Sequence, residues 1–188
     1  MLTINFDPFP ILTTQRLVLR KLSMADAPEI LHQRSDPALN KYVDRAPCAS
    51  LDEASSFIRM VNDNIDTNTS INWGITLKNS DTIIGTIAIW RILKEHHRGE
   101  IGYMIETQHQ GKGLMSEALA AVIDYAFSVI MLHSMEANIN PANKPSKLLL
   151  ERHGFTREAY FRENYYYNGR FLDSAIYSLL TPAASPDR

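Results

Sequence analysis

The chain has a single cysteine, Cys48, and so cannot form an intramolecular disulfide. No charged-then-apolar leader opens it, and the two absences together point to a reducing, cytoplasmic setting. Long apolar runs are missing too: "ALAAVIDYAF" is short and interrupted by Asp124, so no bilayer-spanning segment and no membrane partner is expected. Nor does one sign of charge dominate. Lys+Arg 19 against Asp+Glu 21 leaves a formal net charge of -2, which excludes a global basic field of the kind that recruits nucleic acid. Internal repeats and low-complexity segments are also absent. What is present, 188 residues of which 45% are hydrophobic and 21% charged, suits one globular domain rather than two.

"RLVLRKL" (16–22) alternates like a half-buried strand, and Ser23 with Asp26 signals the start of a helix through Gln33. Ser50-Leu51-Asp52-Glu53 reads as a capping box, followed by Ala54, Phe57, Ile58, Val61 and Ile65 at helical spacing. Three strands are then expected at 71–77, 82–90 and 99–105. A helix follows with Leu119, Val122, Ile123 and Ala126 inward and Glu117, Ala121, Asp124 and Ser128 outward. "SMEANI" (134–139) is a further strand, Asn143 caps a short helix closed by Gly154, and two long strands flank Asn168-Gly169, a dipeptide suited to a type I′ turn. The order β, α, α, β, β, β, α, β, α, β, β predicts an α+β domain with a mixed, mostly antiparallel sheet. We expect one domain over 14–181, an N-terminal extension at 1–13 and a disordered tail at 182–188.

The strongest local signal is "ETQHQGKGLMSEAL" (106–119), two glycines entering a helix. A Walker loop would need glycine at 106 and Ser or Thr at 113, where Glu106 and Gly113 stand. A dinucleotide fingerprint would need a third glycine at Ser116 and parallel βαβ units. Two readings remain: a helix N-terminus whose free amides hold a pyrophosphate, or glycines that only supply positive φ at a corner.

Taken with the element order, the chain resembles the GNAT superfamily of acetyl-CoA-dependent N-acetyltransferases over roughly residues 14–180. The family signature, Gln or Arg, two residues, Gly, one residue, Gly or Ala, is matched by Gln110-Gly111-Lys112-Gly113-Leu114, except that its last position is Met115. "GKGLMSEAL" is instead similar to the RimJ/RimL-like branch of ribosomal-protein acetyltransferases, as are "TTQRLVLRKL", "NPANKPSKLLLERHGF" and "NGRFLDSAIYSLL". The resemblance implies a GNAT-like acyl-CoA N-acyltransferase fold, a central six- to seven-stranded sheet flanked by about four helices. It also implies a V-shaped gap between strands 99–105 and 134–139 that takes the pantetheine arm of acetyl-CoA. Backbone near Met104, Ile105 and Glu106 would bond that arm, amides from Gln110 through Gly111, Lys112, Gly113, Leu114 and Met115 to Ser116 would hold the pyrophosphate, and Asn143 and Ser146 match the family's Asn-x-x-Ser element. Asn143 also reads as a plain N-cap.

The implied reaction moves an acetyl group to a primary amine by direct attack in a ternary complex. A protein N-terminus, at a reference pKa of about 7.7–8.0, is appreciably neutral at pH 7, whereas a lysine-type amine at about 10.4 gains more from a base. Glu100 is the first candidate base, with pairing to Arg98 or Lys94 as its purely structural alternative; Glu158 and Glu163 follow. Ser146 is the candidate acid or relay, since no tyrosine lies between His133 and Ala159, with Tyr165, Tyr166 or Tyr167 as substitutes. His96-His97 reads as a solvated loop, so no metal is expected; His109 reads as a surface turn and Cys48 as buried or neutral. The tyrosine run suits an aromatic acceptor, the edge of a homodimer, or ordinary strand filling that leaves at least one ring exposed. Acceptor contacts are expected from 34–49, 91–98 and 165–170. The alternatives in function are an acetyltransferase for a small-molecule amine (polyamine, amino acid or antibiotic) and a non-catalytic acyl-CoA-binding module.

Overall fold

The structure, a computed structural model, describes residues 1–182. Its strands are β1 (Leu12–Thr13), β2 (Leu17–Arg20), β3 (Ile71–Leu77), β4 (Ile83–Leu93), β5 (Arg98–Ile105), β6 (Ser134–Ile139), β7 (Thr156–Tyr167) and β8 (Arg170–Leu180). The helices are α1 (Ala27–Ser35), α2 (Leu51–Asp66), α3 (Leu114–Ser128) and α4 (Lys144–Arg152). All strands join one eight-stranded sheet in the order β1-β2-β3-β4-β5-β6-β8-β7. The extra strand is β1, which pairs with β2 at Leu12↔Leu19 and Thr13↔Val18. Two residues carry no period to read, so only the partner strand reveals it.

The residues ahead of β2 pack onto the domain. Ile4 and Phe6 are buried, Phe9 meets the Trp73 ring edge-on at 6.2 Å, and the Trp73 indole N–H donates to the Pro10 carbonyl at 2.7 Å. A buried indole needs an acceptor, and this segment supplies it. At the other end, residues 183–188 of the expected tail lie outside the described residues.

The sheet separates two cores. Leu119, Val122 and Ala126 of α3 pack with Ile71, Trp73, Ile87 and Ile89 on one face. On the other face, Ile30 of α1 and Ala54 and Ile58 of α2 pack with Leu22 and Ile83. Ser50 caps α2 by accepting from the Glu53 amide at 3.2 Å, while Glu53 reaches back to the Ala49 amide rather than to the amide of Ser50. Asn168 and Gly169 both take positive φ, 47° and 78°, as a type I′ turn between β7 and β8 demands.

The functional consequence lies in the centre of the sheet. β5 and β6 are parallel partners only from Arg98↔Ser134 to Glu100↔Glu136. Beyond that point β5 stays with β4 as far as Ile105, and β6 stays with β8 as far as Ile139. The two middle strands therefore part, and the backbone facing the gap is left without a strand partner.

Candidate functional site

A cleft of about 420 Å³ opens at this divergence. Its walls are Tyr103, Met104 and Ile105 of β5, the turn residues His109, Gln110, Gly111 and Gly113, the first turn of α3, and Asn143, Pro145 and Ser146 at the start of α4. Leu39, Tyr42 and Val43, between α1 and α2, close a further side.

Gly111 and Gly113 adopt φ of 72° and 74°, the left-handed region that glycine occupies without strain. Among the described residues, the amides of residues 111–116 donate to no protein acceptor; the first paired amide is that of Glu117, to the Gly113 carbonyl at 3.1 Å. A β-carbon placed on Gly111 would meet nothing within 4 Å, and Gly111, Gly113, Leu114, Met115 and Ser116 all line the cleft. Unpaired N–H groups at the positive end of a 15-residue helix fit a pyrophosphate. The turn is pinned from behind. Glu117 accepts from the Arg16 amide at 2.7 Å and from Arg16 Nε at 2.6 Å, while Arg16 Nη1 donates to the Lys112 carbonyl at 3.0 Å. Lys112 does not line the cleft; Gln110 does, its side-chain amide donating to the Ile105 carbonyl at 3.0 Å.

Across the cleft, the Tyr103 and Ser146 hydroxyls lie 2.7 Å apart, and Ser146 is buried. Burial pushes the Tyr103 phenol up to about 12, against a smaller opposing effect of its hydrogen bond with Ser146. Asn143 Oδ1 accepts from the Ser146 amide at 3.2 Å, so the cap of α4 also sets the position of Ser146 at the cleft. Sequence reasoning missed Tyr103. Alternation along β5 puts it on the same face as Ile101 and Ile105, both buried in the core, and no local signal distinguishes a tyrosine that reaches a serine 43 residues on.

Glu100 sits at the root of the gap and is outside the cleft lining. It is buried and accepts from Arg91 Nη1 at 3.1 Å; Arg98 pairs instead with Glu136. Burial raises its carboxyl, with Arg91 opposing. Glu158 and Glu163 are exposed on β7 and do not line the cleft, nor do Tyr165, Tyr166 and Tyr167. Tyr165 and Tyr166 are exposed and Tyr167 half-buried; the three pair in continuous register with Leu172, Phe171 and Arg170 on the edge strand β7, which is exposed along nearly its whole length. The Tyr165 hydroxyl donates to the Asp44 carbonyl at 3.2 Å, so two of the expected acceptor segments, 34–49 and 165–170, meet.

His153, at the end of α4, lies 2.7 Å from Ser116 Oγ through Nε2 and thereby ties α4 to the first turn of α3. Burial lowers its pKa. The unfolded chain, with an imidazole near 6.5, then binds this proton more readily than the folded one, so stability is retained above about pH 6.5 and declines below it. Melting temperature is expected to fall between about pH 7.5 and about pH 5.5, and to fall less in His153→Gln.

A model of the Acetyltransferase (GNAT) domain matches residues 16–156. The chain is 37% identical over 169 residues to the uncharacterized N-acetyltransferase p20 of Bacillus licheniformis, covering 90% of this chain and 95% of that one. It is 30% identical over 185 residues to the [ribosomal protein uS5]-alanine N-acetyltransferase of Escherichia coli K12, covering 94% of each. Mycobacterium smegmatis RimJ, solved in complex with CoA-disulfide, shares the fold with a TM-score of 0.81 at 20% identity, over 90% of this chain and 86% of that one.

Proposed function

The chain belongs to the GNAT acetyltransferase family, and from that premise we propose that it transfers an acetyl group from acetyl-CoA to a primary amine, a protein N-terminus being the preferred acceptor. One observation carries the donor assignment: the amides of residues 111–116 are unpaired in a turn that lines the cleft where β5 and β6 part. The curated relative that acts on a ribosomal-protein alanine supports the N-terminal acceptor.

When bound, acetyl-CoA supplies the thioester whose acetyl group moves and whose sulfur departs. The residues of the chain divide the remaining work. Gly111, Lys112, Gly113, Leu114, Met115 and Ser116 would hold the pyrophosphate through backbone amides, and Met104, Ile105 and Asn143 would hold the arm. Gln110, expected to share the amide role, instead donates its own amide to the Thr107 carbonyl at 3.2 Å and supports the turn through its side chain. Glu100 takes the amine proton through water; its burial-raised carboxyl accepts a proton more readily than an ordinary glutamate.

Magnitudes decide what Tyr103 and Ser146 do. A phenol at about 12 facing a thiol of reference pKa about 8.5 would lose its proton uphill by roughly 5 kcal/mol. Tyr103 therefore keeps its proton and, through Ser146, serves as a hydrogen-bond donor toward the departing sulfur.

Calorimetric titration with CoA followed by thiol-release assays on an amine panel tests the assignment. Binding with turnover of an N-terminal peptide supports it. Binding without turnover of any amine, unaffected by Glu100→Gln, would instead identify an acyl-CoA-binding module.

A further inference from the structure

The end of α1 and the loop that follows it carry two arginines, Arg34 and Arg45, linked through Asn40, whose side-chain amide donates to the Gln33 carbonyl beside Arg34 while its Oδ1 accepts from Arg45. The Arg34 guanidinium stacks over the Phe57 ring, 4.0 Å from its centroid, which occupies its face and leaves the in-plane N–H groups available. Its carbonyl accepts from the Cys48 amide at 3.1 Å, drawing the later part of the loop, with Arg45, toward it. Arg45 donates from Nη2 to Asn40 Oδ1 at 2.8 Å, and its Nε is buried without an acceptor. Among the described residues, no carboxylate lies within 4.0 Å of either guanidinium; the ion pairs use other arginines and lysines. Asp36, nearest in sequence to Arg34, spends its Oδ1 on the Ala38 amide.

Such an arrangement is costly unless something completes it. Burial, and then the charge of Arg34, push the Arg45 guanidinium down to about 10, and burial lowers Arg34 as well. Both nevertheless stay charged at neutral pH, so the pair is a partly desolvated double cation. A carboxylate answers it best, because its two oxygens match the planar fork of a guanidinium.

Its location links it to the acceptor. Leu39, Tyr42 and Val43 of the same loop line the cleft, and Arg45 follows Val43 by two residues, within about 7 Å of backbone. Tyr165, at the tip of the β7–β8 hairpin, bonds the intervening Asp44. The arginines thus stand just outside the lining residues of the wall that the glycine turn does not build.

We propose that Arg34 and Arg45 form a carboxylate-binding subsite at the acceptor end of the cleft, so that the favoured amine carries a carboxylate on its own chain and a polycationic amine is disfavoured. The subsite rests on the transfer reading above for its role but not for its existence. Acidic side chains near a peptide N-terminus and the terminal carboxylate of a short peptide or amino acid offer the same chemistry.

The test compares kcat/KM for Ala-Asp-Ala amide, Ala-Asn-Ala amide and Ala-Asn-Ala with a free C-terminus. At least one carboxylate-bearing peptide is expected to exceed the neutral amide by about tenfold or more, and which one does so identifies the source. In Arg45→Gln the ratio falls toward one, and Arg34→Gln, which removes the other guanidinium, lowers it too. A binding arm runs alongside, with thermal-shift titrations of the N-acetylated peptides, which need no turnover. Equal kcat/KM for all three peptides overturns the subsite while leaving acetyl transfer intact. Where no peptide is acetylated but the acidic N-acetyl peptide protects wild type and fails to protect Arg45→Gln, the transfer reading falls and the subsite stands. Equal protection by acidic and neutral N-acetyl peptides overturns it.

Discussion

Replacing Tyr103 by Phe is expected to lower kcat by about 10²-fold, with little change in the KM for the amine and no change in the shape of the pH–rate profile. The size follows from removing one positioned donor in a water-poor site, where mutagenesis of such donors typically costs two to three orders of magnitude. The unchanged shape follows from the phenol. Held near 12 by burial, it does not titrate in the working range and adds no limb to the profile. An acid that gave up its proton in each cycle would leave such a limb on the alkaline side. Ser146→Ala is expected to behave alike, because the 2.7 Å contact makes the two hydroxyls one unit. The double variant then loses scarcely more than either single one. Additive losses would mean that the two hydroxyls act separately. Folding is not at stake: the lost hydrogen bond is worth about 1 kcal/mol, a cost that a melting curve reads directly.

The second large effect is on binding. Gly111→Asp is expected to weaken CoA binding by about 10²-fold or more, while the melting temperature drops only modestly. A β-carbon at Gly111 clashes with no protein atom, so the fold bears only the strain of a non-glycine residue at φ 72°, about 1–3 kcal/mol. Bound pyrophosphate bears the rest. The new carboxylate would stand beside the unpaired amides of the cleft-lining turn and repel like charge there. Gly111→Ala isolates the steric part and is expected to fall between. Calorimetry with CoA, beside thermal melts without it, separates the two contributions. Unweakened binding in Gly111→Asp would remove the pyrophosphate from this turn.

Much of this site is legible before any coordinates, and the reason is that its cofactor half is local. A strand, a glycine turn and a helix N-terminus are consecutive in the chain, so positions 99–119 carry both the shape and the unpaired amides. The Asn143 cap is equally local, since Asn143 and Ser146 are three residues apart within one turn. The Ser50 cap of α2, the Asn168-Gly169 turn and the inward face of α3 follow for the same reason. Each depends on neighbours within about four residues, the range over which helix and turn geometry brings side chains together.

The half proposed for the acceptor is assembled differently. Arg45, on a loop without periodicity, reaches the end of α1 through Asn40, Tyr165 reaches Asp44 across 121 residues, and Tyr103 finds Ser146 across 43. None of these contacts leaves a spacing to read. The packing of residues 1–13 is hidden likewise, because its anchor is the buried indole of Trp73 and not any pattern of its own. Local hydrogen-bonding and hydrophobic periodicity, written in the sequence, thus determined the family fold and the loop for the donor. Which side chains face one another across the cleft was decided only when β5 and β6 parted and brought α4, the α1–α2 loop and the β7–β8 hairpin together. Contacts between distant segments are set by the packing of whole elements, a property of the folded sheet that no single stretch of chain contains.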